Sequence, residues 1–178
     1  KLIKQTGEFL REKMDELGYD QNRNLAKNFM LFKFFSDTLE IKSKDLKHLP
    51  FKYDFEDYLG IEDWSKMFVS KLLATGKGQC NSLPRLYLIL AEEIGAEAFL
   101  SLSPNHSYIK FRDENHYWYN VEFTNGMFTA ESSILPSGFI KSEALQNEIY
   151  MQEMSSKQLL SQLLTDFAQG YARKFGYD

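Results

Sequence analysis

Three side chains in the middle of the chain have the types and the order of a thiol catalytic triad. Cys80 is the only cysteine, and it stands between Gly76-Lys-Gly-Gln and an apolar stretch with helical spacing. We therefore expect its sulfur at a helix N-terminus, where unpaired N–H groups and the helix dipole favour the nucleophilic thiolate. His106 and Glu122 follow in the chain. Together the three residues supply a nucleophile, a base and an orienting carboxylate.

Strand spacing predicts that the last two of these residues meet. Alternation places His106 and Glu122 on one face each of two neighbouring strands. If a short turn sets Phe111 opposite residue 116 or 117, then His106 falls close to Glu122 or Phe123. Glu122 would then hold one imidazole nitrogen while the other nitrogen takes the Cys80 proton. The result is a thiolate–imidazolium pair that attacks a carbonyl carbon.

Other side chains near these positions are candidates for supporting roles. The backbone N–H of Cys80 is one donor for an oxyanion, and the side-chain amide of Gln79 is a candidate for the second. Asn120 shares a strand face with Glu122, so its amide could orient the imidazole instead. His116 is a rival base, although its place beside a turn favours a solvated surface role.

Each triad residue also has an ordinary structural interpretation. A lone cysteine beside an apolar helix is commonly an inert buried thiol. A strand histidine is commonly satisfied by a hydrogen bond, and a strand glutamate is an ordinary charged residue. The case for chemistry lies in the conjunction of Cys80, His106 and Glu122.

Composition sets the class of protein. The chain has 178 residues, 43% of them hydrophobic, which predicts one principal globular domain. A net charge of -4 without runs of like charge gives no reason to expect nucleic acid or an anionic membrane as a partner. The longest apolar run, Leu86 to Ala91, is far shorter than the about 20 residues of a membrane span. The compartment stays open between the cytoplasm and a periplasmic or secreted location reached after removal of a signal peptide.

No metal or cofactor is predicted. A single cysteine excludes an intrachain disulfide framework and a cysteine-rich zinc site. The three histidines and the cysteine lack the short spacings of metal ligands, and no glycine-rich phosphate loop is present.

The elements that must position the triad indicate an α+β fold. Apolar spacing predicts a helix over residues 6–17, a second capped by Asn22 or Asn24, a third from Ile61 to about Ala74, and the Cys80 helix ending at Gly95. The aromatic segment from Leu46 to Gly60 is interpreted as a packed loop. Three strands at 97–102, 106–111 and 117–123 predict an antiparallel meander packed on the Cys80 helix. A loop from Ala130 to Ile140, helical pattern from Glu143, and a last helix that begins with a Ser155/Gln158 capping box complete the chain.

The segments that carry these residues resemble a known superfamily. They are Gly78-Gln-Cys-Asn-Ser-Leu-Pro-Arg-Leu-Tyr, Ser103-Pro-Asn-His-Ser-Tyr-Ile-Lys and Trp118-Tyr-Asn-Val-Glu-Phe-Thr. They resemble the transglutaminase-like superfamily of papain-like thiol enzymes, most closely the bacterial branch in which such a domain precedes tetratricopeptide repeats. The resemblance covers about 50 residues, from 76 to 126, and it implies that Cys80 is the nucleophile, His106 the base and Glu122 the third member. The superfamily usually has Asp at the last position.

The resemblance implies a papain-like core and thiol acyl chemistry, without a cofactor, on a peptide, a protein or another amide-bearing substrate. It does not choose between protease, amidase and transamidase activity. The alternative is a catalytically silent domain that binds a protein partner through its aromatic surface and its C-terminal helical region. The expected organisation is a transglutaminase-like domain over residues 1–150, with a helical layer at 1–75 and the Cys80 helix and sheet at 76–126. A C-terminal helix over 151–178 would follow, as the start of a truncated helical repeat region.

Overall fold

A computed structural model of the protein describes residues 1–129 and 140–176. The helices are α1 (Leu2–Glu16), α2 (Asn24–Ser36), α3 (Val69–Thr75), α4 (Ser82–Ile94), α5 (Ser142–Gln146) and α6 (Ser156–Phe175). The strands are β1 (Leu39–Ile41), β2 (Leu46–His48), β3 (Lys52–Tyr53), β4 (Lys77–Gly78), β5 (Phe99–Ser103), β6 (His106–Arg112), β7 (Trp118–Glu122) and β8 (Met127–Thr129). The loop predicted for residues 130 to 140 lies outside the described residues except for Ile140.

The sheets confirm the α+β class. The predicted meander is an antiparallel sheet in the order β5-β6-β7-β8, and β8 is a fourth strand that the sequence pattern did not indicate. Two smaller sheets accompany it: an antiparallel pair of β1 with β2, and a parallel pair of β3 with β4. In the part of the chain that the structure describes, no helix has the length and hydropathy to cross a bilayer.

Helix α4 is the centre of the core. It packs against α1, α2 and α3, and against strands β5 and β6. Its predicted apolar face is buried as expected, through Leu83, Leu86, Tyr87, Leu90 and Ile94. The phenol of Tyr87 is satisfied inside this core, because its hydroxyl donates a hydrogen bond of 3.0 Å to the side-chain oxygen of Asn28 on α2. Cys80 lies two residues before the start of this central helix.

Strands β6 and β7 pair in a register two residues away from the predicted one. The prediction set Phe111 opposite residue 116 or 117, whereas Phe111 lies opposite Tyr119. Asp113 explains the difference. Its carboxylate accepts hydrogen bonds from the N–H groups of Asn115 and Tyr117, each at 2.9 Å, and these bonds stabilise a longer connection.

The shift leaves the triad residues on the predicted face. Side chains alternate along a strand with a period of two. A shift of two residues therefore keeps every side chain on its face and changes only which residue lies directly opposite. Extending the observed pairing of Ile109 with Val121 sets residue 124 opposite His106. Glu122 is therefore a diagonal neighbour of His106 rather than the residue directly opposite.

Three other expectations for the N-terminal half are wrong. The third helix is not continuous, because Phe68 is extended (φ -103°, ψ 145°) between a 3₁₀ helix over Trp64–Met67 and α3. The segment from 46 to 60 is not only loop, since it contains β2 and β3. Strand β2 pairs with the short strand β1, and β3 pairs with β4, which is distant in sequence. Helix α2 has no side-chain cap, and Asn24 instead accepts the Glu97 N–H at 2.7 Å.

Helix α6 begins with the predicted capping box and docks on the segment before α3 and on α4. Its Asp166 forms an ion pair with the buried Arg85 of α4. The carbonyl of Asp166 also accepts a 3.0 Å hydrogen bond from the indole of Trp64. Gly170 packs closely on the Trp64 ring, and the Arg173 guanidinium lies 4.3 Å from the centre of that ring. One face of α6 is thus fixed by polar and close-packed contacts.

A second face of α6 is exposed. Five large apolar side chains recur at helical spacing along it, and each is more than half exposed. They form what we call the α6 stripe: Leu160, Leu164, Phe167, Tyr171 and Phe175.

Residues 149–154, which we call the edge strap, run along the outer edge of β5. The N–H of Met151 donates to the Leu102 carbonyl at 2.8 Å, and the N–H of Met154 donates to the Leu100 carbonyl at 2.9 Å. Met151 has a left-handed backbone (φ 65°) and a buried side chain. The strap therefore brings Tyr150 beside the end of the sheet that carries His106.

Candidate active site

Cys80 lies between β4 and the start of α4, as the sequence predicted, and its side chain is half-buried. The chain approaches it through Gly78, which has no room for a side chain: a Cβ there would lie 2.8 Å from the Ser82 hydroxyl and 2.9 Å from Leu72 and Leu83. The Cys80 carbonyl accepts a short hydrogen bond from the Ser107 hydroxyl on β6. The nucleophile candidate is therefore tied both to the central helix and to the sheet.

Gln79 is used in building the helix start. Its side-chain oxygen accepts the N–H groups of Asn81 at 2.6 Å and Ser82 at 3.1 Å. Its amide nitrogen donates to the Lys66 carbonyl at 3.3 Å, and the residue is fully buried. The side chain caps α4 and does not face the Cys80 sulfur as a free donor.

His106 and Glu122 are brought together. Nε2 of His106 lies 2.6 Å from Oε2 of Glu122, and both side chains are largely buried. The other carboxylate oxygen, Oε1, accepts the Thr124 N–H at 3.0 Å and the Thr124 hydroxyl at 2.9 Å. Both oxygens of Glu122 are thus held, which fixes the position of the imidazole and directs its second nitrogen away from the carboxylate.

The electrostatics favour a charged imidazole. Burial lowers the pKa of His106, but hydrogen bonds to the Cys80 side chain and to the Glu122 carboxylate outweigh it and raise the pKa to about 9. Burial raises the pKa of Glu122, and the His106 ring together with Thr124 reverses this and lowers it below its ordinary value. Both shifts describe an imidazolium that is stabilised by the Glu122 carboxylate.

Tyr53 is a site residue that the sequence analysis missed. Its hydroxyl interacts with the Cys80 side chain, with the Cys80 backbone N–H and with the Thr124 hydroxyl. Burial and the neighbouring Cys80 raise its pKa to about 12. The sequence carries no local signal for this placement, because Tyr53 reaches the site only through the parallel pairing of β3 with β4, where it lies opposite Gly78.

The remaining predicted candidates lie elsewhere. Asn120 is buried in the middle of β7, opposite Lys110, on a more central rung of the sheet than Glu122. His116 is exposed in the β6–β7 connection with a left-handed backbone (φ 67°). Among the three histidines, His106 is the one whose ring hydrogen-bonds the Cys80 side chain.

A pocket of about 320 Å³ opens beside Cys80 and His106. Its walls come from distant parts of the chain, with Tyr58, Tyr150 of the edge strap, and Gln162 of α6 among them. None of the described residues that line it is Asp, Glu, Lys or Arg. A wider groove of about 770 Å³ lies between the Trp64 segment and the end of α6, and its described lining includes no triad residue. Cys80 and His106 thus face the smaller pocket, whereas Glu122 and Tyr53 line a separate pocket of about 410 Å³.

Within residues 1–129 and 140–176, no three His, Cys, Asp or Glu side chains are grouped as metal ligands.

Comparisons of the chain with family models, curated proteins and solved structures found no match.

Proposed function

We propose that the protein performs thiol-dependent acyl chemistry on an amide or ester through Cys80, His106 and Glu122. The observation that carries the proposal is the His106 imidazole, held by the Glu122 carboxylate at 2.6 Å and hydrogen-bonded to the Cys80 side chain at the wall of a pocket. An imidazole fixed between a carboxylate and a thiol is the arrangement that activates a sulfur nucleophile.

The proposed reaction has two halves. The Cys80 thiol gives its proton to His106, and the sulfur forms a bond to the substrate carbonyl carbon while the C=O π electrons move to oxygen. The tetrahedral intermediate collapses as the imidazolium protonates the leaving amine or alcohol and the C–N or C–O bond breaks. Water or an amine then attacks the thioester, loses its proton to His106, and releases the Cys80 sulfur.

The residues that line the pocket beside Cys80 indicate which acyl groups it accepts. Its described lining combines apolar side chains such as Leu59 and Met67 with the neutral amides of Asn81, Asn105 and Gln162. A buried charge without a partner is costly in such surroundings. The acyl group that fits is therefore uncharged next to its carbonyl carbon.

The family resemblance supports the same proposal. A nucleophile ahead of a central helix, followed by a histidine and an acid on adjacent antiparallel strands, matches the order of the transglutaminase-like superfamily. A papain-like core is part of this proposal. The carboxylate of Glu122 in place of Asp fits the diagonal position that this residue occupies relative to His106.

A labelling experiment tests the thiol. Iodoacetamide should alkylate Cys80 in the folded protein at pH 7 faster than it alkylates free glutathione, because the imidazolium stabilises the thiolate. His106→Asn should slow labelling by at least about tenfold, because it removes the group that takes the Cys80 proton; a general base typically contributes about 10²–10⁴-fold. His116→Asn is the matched control, since it changes an exposed histidine in the β6–β7 connection and should leave the rate unchanged.

A second measurement tests the acyl step. The protein is mixed with p-nitrophenyl acetate, and intact-mass spectrometry follows the addition of one acetyl group, which should be absent in Cys80→Ser. Labelling that requires denaturant, or equal loss of rate in His106→Asn and His116→Asn, would overturn the proposal.

The α6 stripe favours a second candidate function, a non-catalytic domain that binds a protein partner. Five exposed apolar side chains at helical spacing are more than isolated surface residues, and they fit the apolar face of another helix. The two functions separate in a complementation assay of the intact protein. If the chemistry is the function, Cys80→Ala abolishes the complementation. If binding is the function, Phe167→Ser abolishes the complementation and Cys80→Ala leaves it unchanged.

A further inference from the structure

Tyr53 reaches the site through a strand pair that is separate from the main sheet. The parallel pairing of β3 with β4 places Tyr53 opposite Gly78, two residues before the nucleophile. Backbone hydrogen bonds from Lys52 to Gly76 (2.9 Å) and from Asp54 to Gly78 (2.7 Å) flank it on both sides. The backbone of Tyr53 is therefore fixed relative to Cys80 independently of the His106 strand.

The hydroxyl of Tyr53 occupies a chemically defined place. It lies close to both the backbone N–H and the side chain of Cys80. In thiol acyl chemistry, the oxygen of the tetrahedral intermediate lies within hydrogen-bond distance of the nucleophile's own N–H, one bond from the carbon that the sulfur attacks. The Tyr53 oxygen therefore stands where the substrate oxygen would arrive.

We propose that Tyr53 is a further catalytic residue that donates the second hydrogen bond to the oxyanion, beside the Cys80 N–H. This inference rests on the proposed thiol acyl function. On substrate binding, the carbonyl oxygen takes the Cys80 N–H and the phenol swings to its flank, where its O–H points at the same oxygen. As the Sγ–C bond forms, negative charge collects on that oxygen and both hydrogen bonds strengthen.

The protonation state and the surroundings support a donor role. The high pKa of Tyr53, about 12, keeps the phenol protonated at neutral pH. Gln79, the other candidate for this role, is committed to the N–H groups at the start of α4. Thr124 contacts the Tyr53 hydroxyl and also holds Glu122, so the donor and the orienting carboxylate share one anchor.

The test compares two reactions of the same sulfur. Alkylation by iodoacetamide is a displacement at saturated carbon and forms no oxyanion, whereas acetylation by p-nitrophenyl acetate does. Tyr53→Phe should keep the alkylation rate within about threefold of wild type. It should slow acetylation by about 10²-fold or more, the cost typical of one lost oxyanion donor. Tyr117→Phe, which removes an exposed phenol in the β6–β7 connection, is the matched control and should change neither rate.

A third reagent keeps the test decisive. A small aldehyde such as acetaldehyde forms a tetrahedral hemithioacetal with Cys80, and Tyr53→Phe should weaken its protection of the sulfur against alkylation by at least about tenfold. If Tyr53→Phe does not fold, Tyr53→Gln replaces it. Its side-chain amide is still a donor, so its acetylation rate should lie between that of wild type and the about 10²-fold lower rate expected when the donor is lost.

Each outcome has one meaning. Equal acetylation rates in wild type and Tyr53→Phe overturn the donor role. Faster acetylation in Tyr53→Phe also overturns it, and shows that the phenol blocks the place of the substrate oxygen. A wild-type protein that is alkylated but never acetylated contradicts the proposed function itself. The two failures are therefore distinguishable.

Discussion

At the scale of single residues, the site depends on which contacts the side chains can reach. His106 is held by a carboxylate that comes from a diagonal rather than an opposite position. Diagonal neighbours across a strand pair are about 7–8 Å apart at their Cα atoms, and an opposite pair is about 5 Å apart. The extra methylene of Glu122 fits this longer span.

The titration of His106 gives the first prediction. Its pKa is raised from 6.5 to about 9, so its charged form is favoured in the folded protein. The resulting stabilisation is fully present below about pH 6.5 and is lost as the pH rises through about 9. Carbon-13 NMR of labelled histidine should show one ring that titrates near 9. Over the same range, denaturant unfolding should show a fall in the free energy of unfolding that His106→Asn lacks.

The length of the carboxylate gives the second prediction. Glu122→Asp shortens the side chain and should break the 2.6 Å contact, whereas Glu122→Gln keeps the length and removes the charge. Both variants should lower the pKa of His106 and slow acetylation of Cys80 by at least about tenfold, toward the losses seen when a triad acid is replaced. Glu114→Gln, an exposed acid near the β6–β7 connection, is the control. An unchanged rate of Cys80 acetylation in Glu122→Asp would contradict the role given to the length of the Glu122 side chain.

At the scale of elements, much of the architecture is predictable from the chain. The helical spacing before Gly95 and the alternation in strands β5 to β7 are local patterns, and they gave α4 and the meander correctly. The register of β6 with β7 was missed because Asp113 stabilises a longer turn through hydrogen bonds that alternation does not reveal.

Contacts that join distant segments were not predictable in this way. The parallel pair that brings Tyr53 to the site has two residues in each strand, too few to show a pattern. The break at Phe68 depends on the preceding 3₁₀ helix, where Asp63 accepts the Ser65 N–H at 3.0 Å. The candidate triad was predictable because strand alternation relates His106 to Glu122 and because helical spacing begins directly after Cys80. Tyr53 has no such relation to Cys80.

The docking of α6 gives the third prediction. In an exposed helix, Gly→Ala stabilises by about 1 kcal/mol. At Gly170 a Cβ would lie 2.5 Å from Cδ1 and 2.7 Å from Nε1 of Trp64, and that ring is held by the Asp166 carbonyl and by Arg173. Gly170→Ala should therefore destabilise the protein by about 1–3 kcal/mol, the usual cost of overpacking. Urea unfolding measures it.

The control for this prediction is Gln169→Ala, an exposed neighbour on the same helix. It should change the free energy of unfolding by less than about 0.5 kcal/mol. A stabilised Gly170→Ala would mean that α6 does not pack on Trp64 in solution.

At the scale of the whole molecule, the segments that build the site are joined by buried polar contacts. The clearest is the ion pair of Arg85 on α4 with Asp166 on α6, since Arg85 is 5% exposed. Within the described residues, Nε and Nη1 of Arg85 have no hydrogen-bond partner, so Asp166 is the group that compensates the guanidinium charge. The helix behind the nucleophile is thereby coupled to the C-terminal helix.

Removal of one partner gives the fourth prediction. Asp166→Ala leaves a buried guanidinium uncompensated and should lower the free energy of unfolding by about 3–5 kcal/mol. The double variant Arg85→Met/Asp166→Leu should recover most of this loss, because it removes both charges. Glu114→Ala, which breaks the exposed ion pair with Arg23, should cost less than about 1 kcal/mol. Equal losses from Asp166→Ala and Glu114→Ala would contradict the buried role of the pair.

The edge strap limits how a polypeptide can approach the nucleophile. A peptide that binds by strand addition needs the free carbonyl and N–H groups of an outer strand. On β5, the carbonyls of Leu100 and Leu102 already accept bonds from the strap's own backbone. A peptide substrate therefore cannot extend this sheet beside Cys80. Under the proposed acyl function, a protein substrate would have to present a chain end, a side-chain amide or a loop to the pocket, and the strap would select among substrates by the local shape of that segment.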